Sequence, residues 1–149
     1  LLSSYYQKEI TAMHIAVRTS LPDNPLFIDG NAEQLGKTIM SLLNNGMYAI
    51  AKKYGKKAYP AEIGLALESK DGQVVIRLYD NGVGIEQSIL DKIFDPFFTT
   101  KTTGEAAGIG LYLSKEIILN HHGQIAVRSE KDELTEFTIT LPLWEEKSV

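Results

Sequence analysis

Between residues 31 and 54 apolar side chains recur every three to four positions. Leu35, Ile39, Leu42, Leu43 and Ile50, with Gly46 in the same row, fall on one face when projected at about 100° per residue. Gln34, Ser41, Asn45, Tyr48 and Lys52 fall together on the other. Asn31 can cap this helix, Glu33 and Gln34 sit in its first turn, and Gly55 follows as a stop signal, so the pattern predicts one long helix to about Tyr54. Elsewhere the period drops to two. "AEIGLALES" and "QVVIRLYD", joined by "KDG", predict a hairpin, and "QIAVRSE" with "TEFTITLPL" predicts a second. "TAMHIAVRTS" is expected as a first strand, with His14 at a strand position, and "LPDNPLFIDGN" as a loop because Pro22 and Pro25 block regular structure. "EQSILDKIF" predicts a short helix and "GIGLYLSKEIILNHH" a longer one ended by Gly123, with His121 and His122 at its carboxyl end. The sum is an α/β (α+β) two-layer sandwich, with a mixed, largely antiparallel sheet covered on one face by helices.

Composition narrows the picture without changing it. The 149 residues suit one domain, and 44% hydrophobic content with a net charge of −4 describes an ordinary globular chain. The mild acidity argues against a nucleic-acid binder. With no cysteine, disulfides, thiolate metal sites and a Cys nucleophile are excluded. No apolar run reaches the length of a membrane span, so no membrane contact is expected of these residues. The opening "LLSSYYQKEI" lacks Met and is expected to be the start of a piece excised from a longer protein.

Candidate chemistry enters at four places. Asn44 and Asn45 sit mid-helix on a face almost free of charge, where asparagine costs helix propensity and a bound ligand or ion would compensate. "DNGVGI" follows a strand. A carboxylate only accepts hydrogen bonds, so Asp80 could select a base that presents an amine, as adenine does, while Gly82 and Gly84 let backbone approach a flat ring. Taken alone, that stretch is better explained by a bulged turn. "GEAAGIGL" opens a helix, where successive N–H groups and the helix dipole suit a phosphate. "IFDPFFTTK" gathers Phe94, Phe97 and Phe98 around Pro96, and residues 99–107 have the small, polar composition of a lid.

Taken in order, "SLLNNGMYAI", "DNGVGI", "FDPFFTTK" and "GIGL" resemble the N, G1, F and G2 boxes of the catalytic ATP-binding domain of sensor histidine kinases, part of the wider Bergerat-fold group of ATPases. "NHHGQIAVRSE" and "FTITLP" resemble that domain's last hairpin, so the likeness covers residues 11–143. The resemblance implies a single catalytic domain over residues 1–149 with ATP and Mg²⁺ as cofactors. Asn45 would hold Mg²⁺ against the triphosphate, and Asp80 would bind adenine. Gly82, Gly84 and Ile85 would lie beside the base; Gly108, Ile109, Gly110 and Leu111 would lie where the lid meets the phosphates.

This sequence departs from the pattern at named positions. Ser41 stands where these kinases often carry Asn and where gyrase-, chaperone- and mismatch-repair-type ATPases carry a catalytic Glu, so simple hydrolysis is not expected. Tyr48 stands where many relatives place a phosphate-contacting Lys; Lys52, one turn on, and Lys101 in the lid are the candidate substitutes. Gly46 replaces an Ala, Ala106 the first G2 glycine, and His122 the first glycine of "HGG". No catalytic residue is assigned; Ser41 and Lys52 are the candidates. The implied activity is transfer of the ATP γ-phosphoryl group to a histidine on a separate dimerisation domain, then to a response regulator. The implied parent is a homodimeric sensor, with or without a membrane anchor, that carries this domain in the cytoplasm. Two other readings stay open from the residues: an ATP-sensing pseudokinase, and an anti-sigma-factor-type serine kinase of the same fold, which typically lacks the "FDPFFTTK" box.

Overall fold

The computed structural model describes residues 8, 10, 11, 14–54, 60–98 and 110–146. In chain order these form β1 (Ala16–Ser20), α1 (Ala32–Tyr54), β2 (Glu62–Lys70), β3 (Gln73–Asp80), a 3₁₀ turn (Leu90–Lys92), α2 (Gly110–Asn120), β4 (Gln124–Glu130) and β5 (Leu134–Pro142). The expected stop at Gly55 lies outside the described residues.

Asn31 caps α1 as its position predicts, its Oδ1 accepting the Gln34 N–H at 3.0 Å. The apolar row seats α1 on the sheet, with Leu42, Gly46 and Ile50 buried; Thr38 and Met47, outside the predicted row, are buried too. Thr38 is tolerated there because its hydroxyl donates to the Gln34 carbonyl at 3.2 Å, one turn back.

The five strands run in the order β1-β2-β3-β5-β4. Only the β1–β2 pair is parallel; the others are antiparallel. The "KDG" turn works as the dipeptide rule predicts: Lys70 pairs with Gln73, and Asp71 and Gly72 take φ of 53° and 75°, the left-handed pair that closes a two-residue hairpin. Leu42 from α1, Ile118 from α2 and Leu78, Phe137, Ile139 and Leu141 from the sheet form the main core between the layers. Burying side chains of this size contributes roughly 1.5–3 kcal/mol each. Ile15, Met47, Ile50, Ala61 and Ile63 form a second cluster under β1. No helix among the described residues is long and apolar enough to cross a membrane.

Four expectations need correction. His14 is not in a strand: it is exposed, with φ of 53°, in the turn two residues before β1. Residues 86–94 do not form a regular helix. Ile85, Ile89 and Ile93 have helical spacing, but the backbone closes in successive three-residue turns, Ile89 to Glu86, Lys92 to Ile89 and Asp95 to Lys92. Helix α2 ends at Asn120, and its left-handed residue is His122 (φ 61°), not Gly123. His122 N–H donates to Leu119 O and Gly123 N–H to Ile118 O, the two bonds of a Schellman end. Gly123 is needed for room instead: a Cβ there would lie 2.3 Å from Thr140 O. Finally, the three phenylalanines do not form one cluster. Phe94 and Phe98 pack on the core, Phe94 edge-on to Phe137, whereas Phe97 is 78% exposed at φ 64°.

Candidate functional site

A cavity of about 640 Å³ opens between the helices and one end of the sheet. Ser41, Asn44, Asn45, Tyr48, Ala49 and Lys52 of α1 form one wall. The predicted polar face of α1 therefore faces this cavity, except Gln34, which lies far up the helix and is exposed. Gly110 and Leu111 bring in the first turn of α2, and Ile85, Ile89, Ile93, Phe98 and Phe137 give an apolar lining suited to a flat ring.

Asp80 forms the floor. It ends β3, is only 6% exposed, and burial pushes its carboxyl up to about 7. Two groups pull the other way: the Gly82 N–H, which donates to Oδ1 at 2.9 Å, and the nearby Lys53 ammonium. Across the ladder Asp80 faces Thr135, which also lines the cavity. Thr135 Oγ1 lies 2.8 Å from the Ser129 hydroxyl, which contacts Leu134 O at 2.7 Å and accepts the Ile85 N–H at 2.8 Å.

The glycines serve this floor by letting protein approach protein. A Cβ on Gly82 would lie 2.5 Å from the Ala49 carbonyl carbon of α1, and Gly82 does not itself line the cavity. Gly84 does line it, at φ 69°, and a Cβ there would meet Glu130 O at 2.1 Å. Gly46 sits against the carboxylate, its missing Cβ 3.4 Å from Oδ2. Gly110 likewise lies over Ser41, 3.2 Å from Oγ to the absent Cβ.

Asn45, Tyr48, Lys52, Ser41, Asp80, Gly84, Ile85, Gly110 and Leu111 are therefore gathered around one cavity. Lys101, Gly108, Ile109 and the rest of the expected lid lie outside the described residues. Sequence reasoning missed Phe98, Lys131, Asp132 and Thr135 in the lining, and missed Lys53 altogether. Lys53 is half-buried, and its Nζ donates to Asn81 O at 3.2 Å and Asp132 O at 2.5 Å. Lys131 instead pairs with Glu86 at 2.7 Å across the rim. Among the described residues no group of three or more His, Cys, Asp and Glu could hold a metal unaided.

The family described as histidine kinase-, DNA gyrase B- and HSP90-like ATPase matches residues 30–145. The chain is 39% identical over 122 residues to the signal transduction histidine-protein kinase AtoS of Escherichia coli, covering 81% of this chain and 19% of that protein. It is 33% identical over 129 residues to the two-component sensor PprA of Pseudomonas aeruginosa, covering 87% of this chain and 14% of that one. The chain thus spans less than a quarter of the length of these curated relatives. Among solved structures it superposes on the catalytic domain of histidine kinase ThkA with a TM-score of 0.76 at 24% identity, covering 93% of this chain and 85% of that one. The mycobacterial sensor histidine kinase MprB gives 0.74 at 22%, covering 94% and 89%. These structural likenesses support the two-layer fold.

Proposed function

The chain belongs to the histidine kinase-, DNA gyrase B- and HSP90-like ATPase family, and from that premise we propose that it is the ATP-binding catalytic domain of a longer two-component sensor histidine kinase. The observation that carries the reading is the buried carboxylate of Asp80 at the end of an apolar-walled cavity. When ionised it accepts from an amine. Adenine presents an amine there. Guanine presents a carbonyl oxygen, which the carboxylate would repel.

The base then lies between the apolar walls, and its phosphates run along α1 toward Asn45, Tyr48, Lys52 and the amino end of α2. That end supplies N–H donors and positive potential. Asn45 would hold Mg²⁺. A single carboxamide oxygen suits an ion that keeps waters and phosphate oxygens as its other ligands. The ion supplies charge neutralisation on the triphosphate.

Transfer is favoured over hydrolysis because no acidic residue lies on the cavity face of α1 to activate water: that face carries Ser41, Asn44, Asn45, Tyr48 and Lys52. An imidazole nitrogen from a separate dimerisation domain attacks the γ-phosphorus; an N–P bond forms, the bond to the β-phosphate oxygen breaks, and ADP leaves. These residues act by positioning and charge. The phosphoryl group then passes to a response regulator. We place the domain in the cytoplasm of a homodimeric parent.

The test is incubation with γ-labelled ATP, with and without the parent's histidine-bearing helical domain. Acid-labile label on the helical domain is expected. Nucleotide binding without transfer would make the chain a sensing pseudokinase, and acid-stable label on a serine would make it a serine kinase.

A further inference from the structure

The loop after Asp80 is held between two elements far apart in sequence. On one side, Ala49 O of α1 accepts the Val83 N–H at 3.2 Å. On the other, Val83 O accepts the Asp132 N–H of the β4–β5 turn at 2.6 Å. One side chain spans all three. Lys53, in the last turn of α1, donates from Nζ to Asn81 O and to Asp132 O, while the neighbouring Tyr54 hydroxyl donates to the same Asn81 carbonyl at 3.2 Å. The ammonium also lies 5.2 Å from the Tyr54 ring centroid, which fixes its stem. Asn81 is anchored from behind: its Oδ1 accepts the Glu62 N–H and its Nδ2 donates to Pro60 O, each at 2.8 Å.

We infer that Lys53 is a positioning residue for nucleotide recognition: its ammonium ties α1, the loop after Asp80 and the β4–β5 turn into one frame behind the carboxylate. The inference rests on the adenine-nucleotide reading of the cavity. Lys52, although it faces the cavity, makes no such tie among the described contacts. Lys53 stands behind the floor, where it sets the carboxylate without touching the ligand.

Other charges face Asp80 or its cavity. Lys52 comes from α1, Glu86 from the segment after β3, and Lys131 and Asp132 from the β4–β5 turn. Tyr79 precedes Asp80 in β3, with Glu62 of β2 near it. Lys131 is engaged by Glu86. Among these groups Lys53 is the one that pulls the Asp80 carboxyl down against its burial. Removing it leaves the burial in place with less to oppose it.

The experiment uses Lys53→Met, which keeps the stem over Tyr54, and Lys53→Arg, which keeps a cation. Two readouts are taken on the 149-residue chain. The first is the Asp80 carboxyl titration, followed by carbon NMR without nucleotide. The second is adenosine affinity against pH, adenosine having no phosphate to titrate. In Lys53→Met the Asp80 midpoint should rise by about one pH unit, with adenosine binding about fivefold weaker at pH 7 and recovering above the new midpoint. Lys53→Arg should restore the wild-type midpoint. An unmoved Asp80 midpoint in a folded Lys53→Met variant would overturn the inference, as would equal affinity loss for both variants at every pH. Failure of the unaltered chain to bind adenosine would overturn the nucleotide reading instead, and the carboxyl titration would still score the role of Lys53.

Discussion

Replacing Asp80 with asparagine should move binding and stability in opposite directions. The substitution keeps the shape and an oxygen to accept the Gly82 N–H, now at 2.9 Å, but removes the charge. A charge-assisted hydrogen bond contributes roughly 1.5–3 kcal/mol, so adenosine or ADP should bind about 10- to 150-fold more weakly. The stability term has the other sign. The carboxyl titrates at about 7 in the fold against an ordinary 3.8, so the folded chain holds the proton more tightly than the unfolded one. Stability from this group is complete below about pH 4, falls as pH rises through 7, and is flat above that. At about 1.4 kcal/mol per pH unit, the ceiling on the loss is about 4 kcal/mol. Asp80→Asn should therefore leave the unfolding midpoint near its wild-type value at pH 4 and raise it at pH 8, by roughly 2–4 °C per kcal/mol for a chain of this size. Calorimetric titration and thermal unfolding across pH 4–8 read both effects. A variant that loses affinity and is also destabilised at pH 8 would show that Asp80 holds the fold and that the loss of binding is indirect.

Asn45→Ala should abolish the gain in triphosphate affinity that Mg²⁺ confers while leaving adenosine affinity within about twofold, measured by titration with and without the ion; an unchanged Mg²⁺ effect would make Asn45 a cavity wall only. At the end of α2, His122→Gly should stabilise the chain by about 0.5–1 kcal/mol by relieving a left-handed residue, whereas Gly123→Ala should destabilise it by about 1–3 kcal/mol through contact with Thr140; denaturant midpoints check both, and the reverse order would refute the assignment of the cap. The chain alone should not phosphorylate itself, because His14 sits in an exposed turn and the His121 ring is engaged by Ile117 O and the Asn31 N–H; acid-labile label lost on His14→Ala would contradict this.

The elements most legible in the sequence are those whose information is local. Helix α1 has a cap, a stripe and length, and the "DG" turn dictates its own backbone. The polar face of α1 was readable as a site because its lack of charge has no structural explanation. What escaped is long-range. Lys53 lies one residue past the face that projection assigns to the ligand, and its partner Asp132 is 79 residues away. Thr135 meets the Ser129 hydroxyl only once β4 and β5 pair, and that hydroxyl also accepts from Ile85, 44 residues earlier. The segment of residues 86–94 misleads because Ile85, Ile89 and Ile93 need only face one wall, and a run of three-residue turns meets that need as well as a helix does.

The glycines of "DNGVGI" have a packing role in the fold that their sequence reading did not assign. Read from sequence, they clear space for a ring. In the fold, Gly82 clears space for α1 and Gly84 for the β4–β5 turn, with contacts no side chain could survive. Gly46 does the same from the helix side, against the carboxylate itself. The result is backbone packed closely around Asp80, and that burial raises the cost of its charge. An amine in the cavity lowers that cost by the hydrogen bond water would have made. On the adenine-nucleotide reading proposed above, the same burial would make recognition discriminating, because a ligand presenting an acceptor would leave a buried carboxylate unpaired. On that reading the glycine spacing would mark a ligand through the protein packing that makes one carboxylate dependent on it.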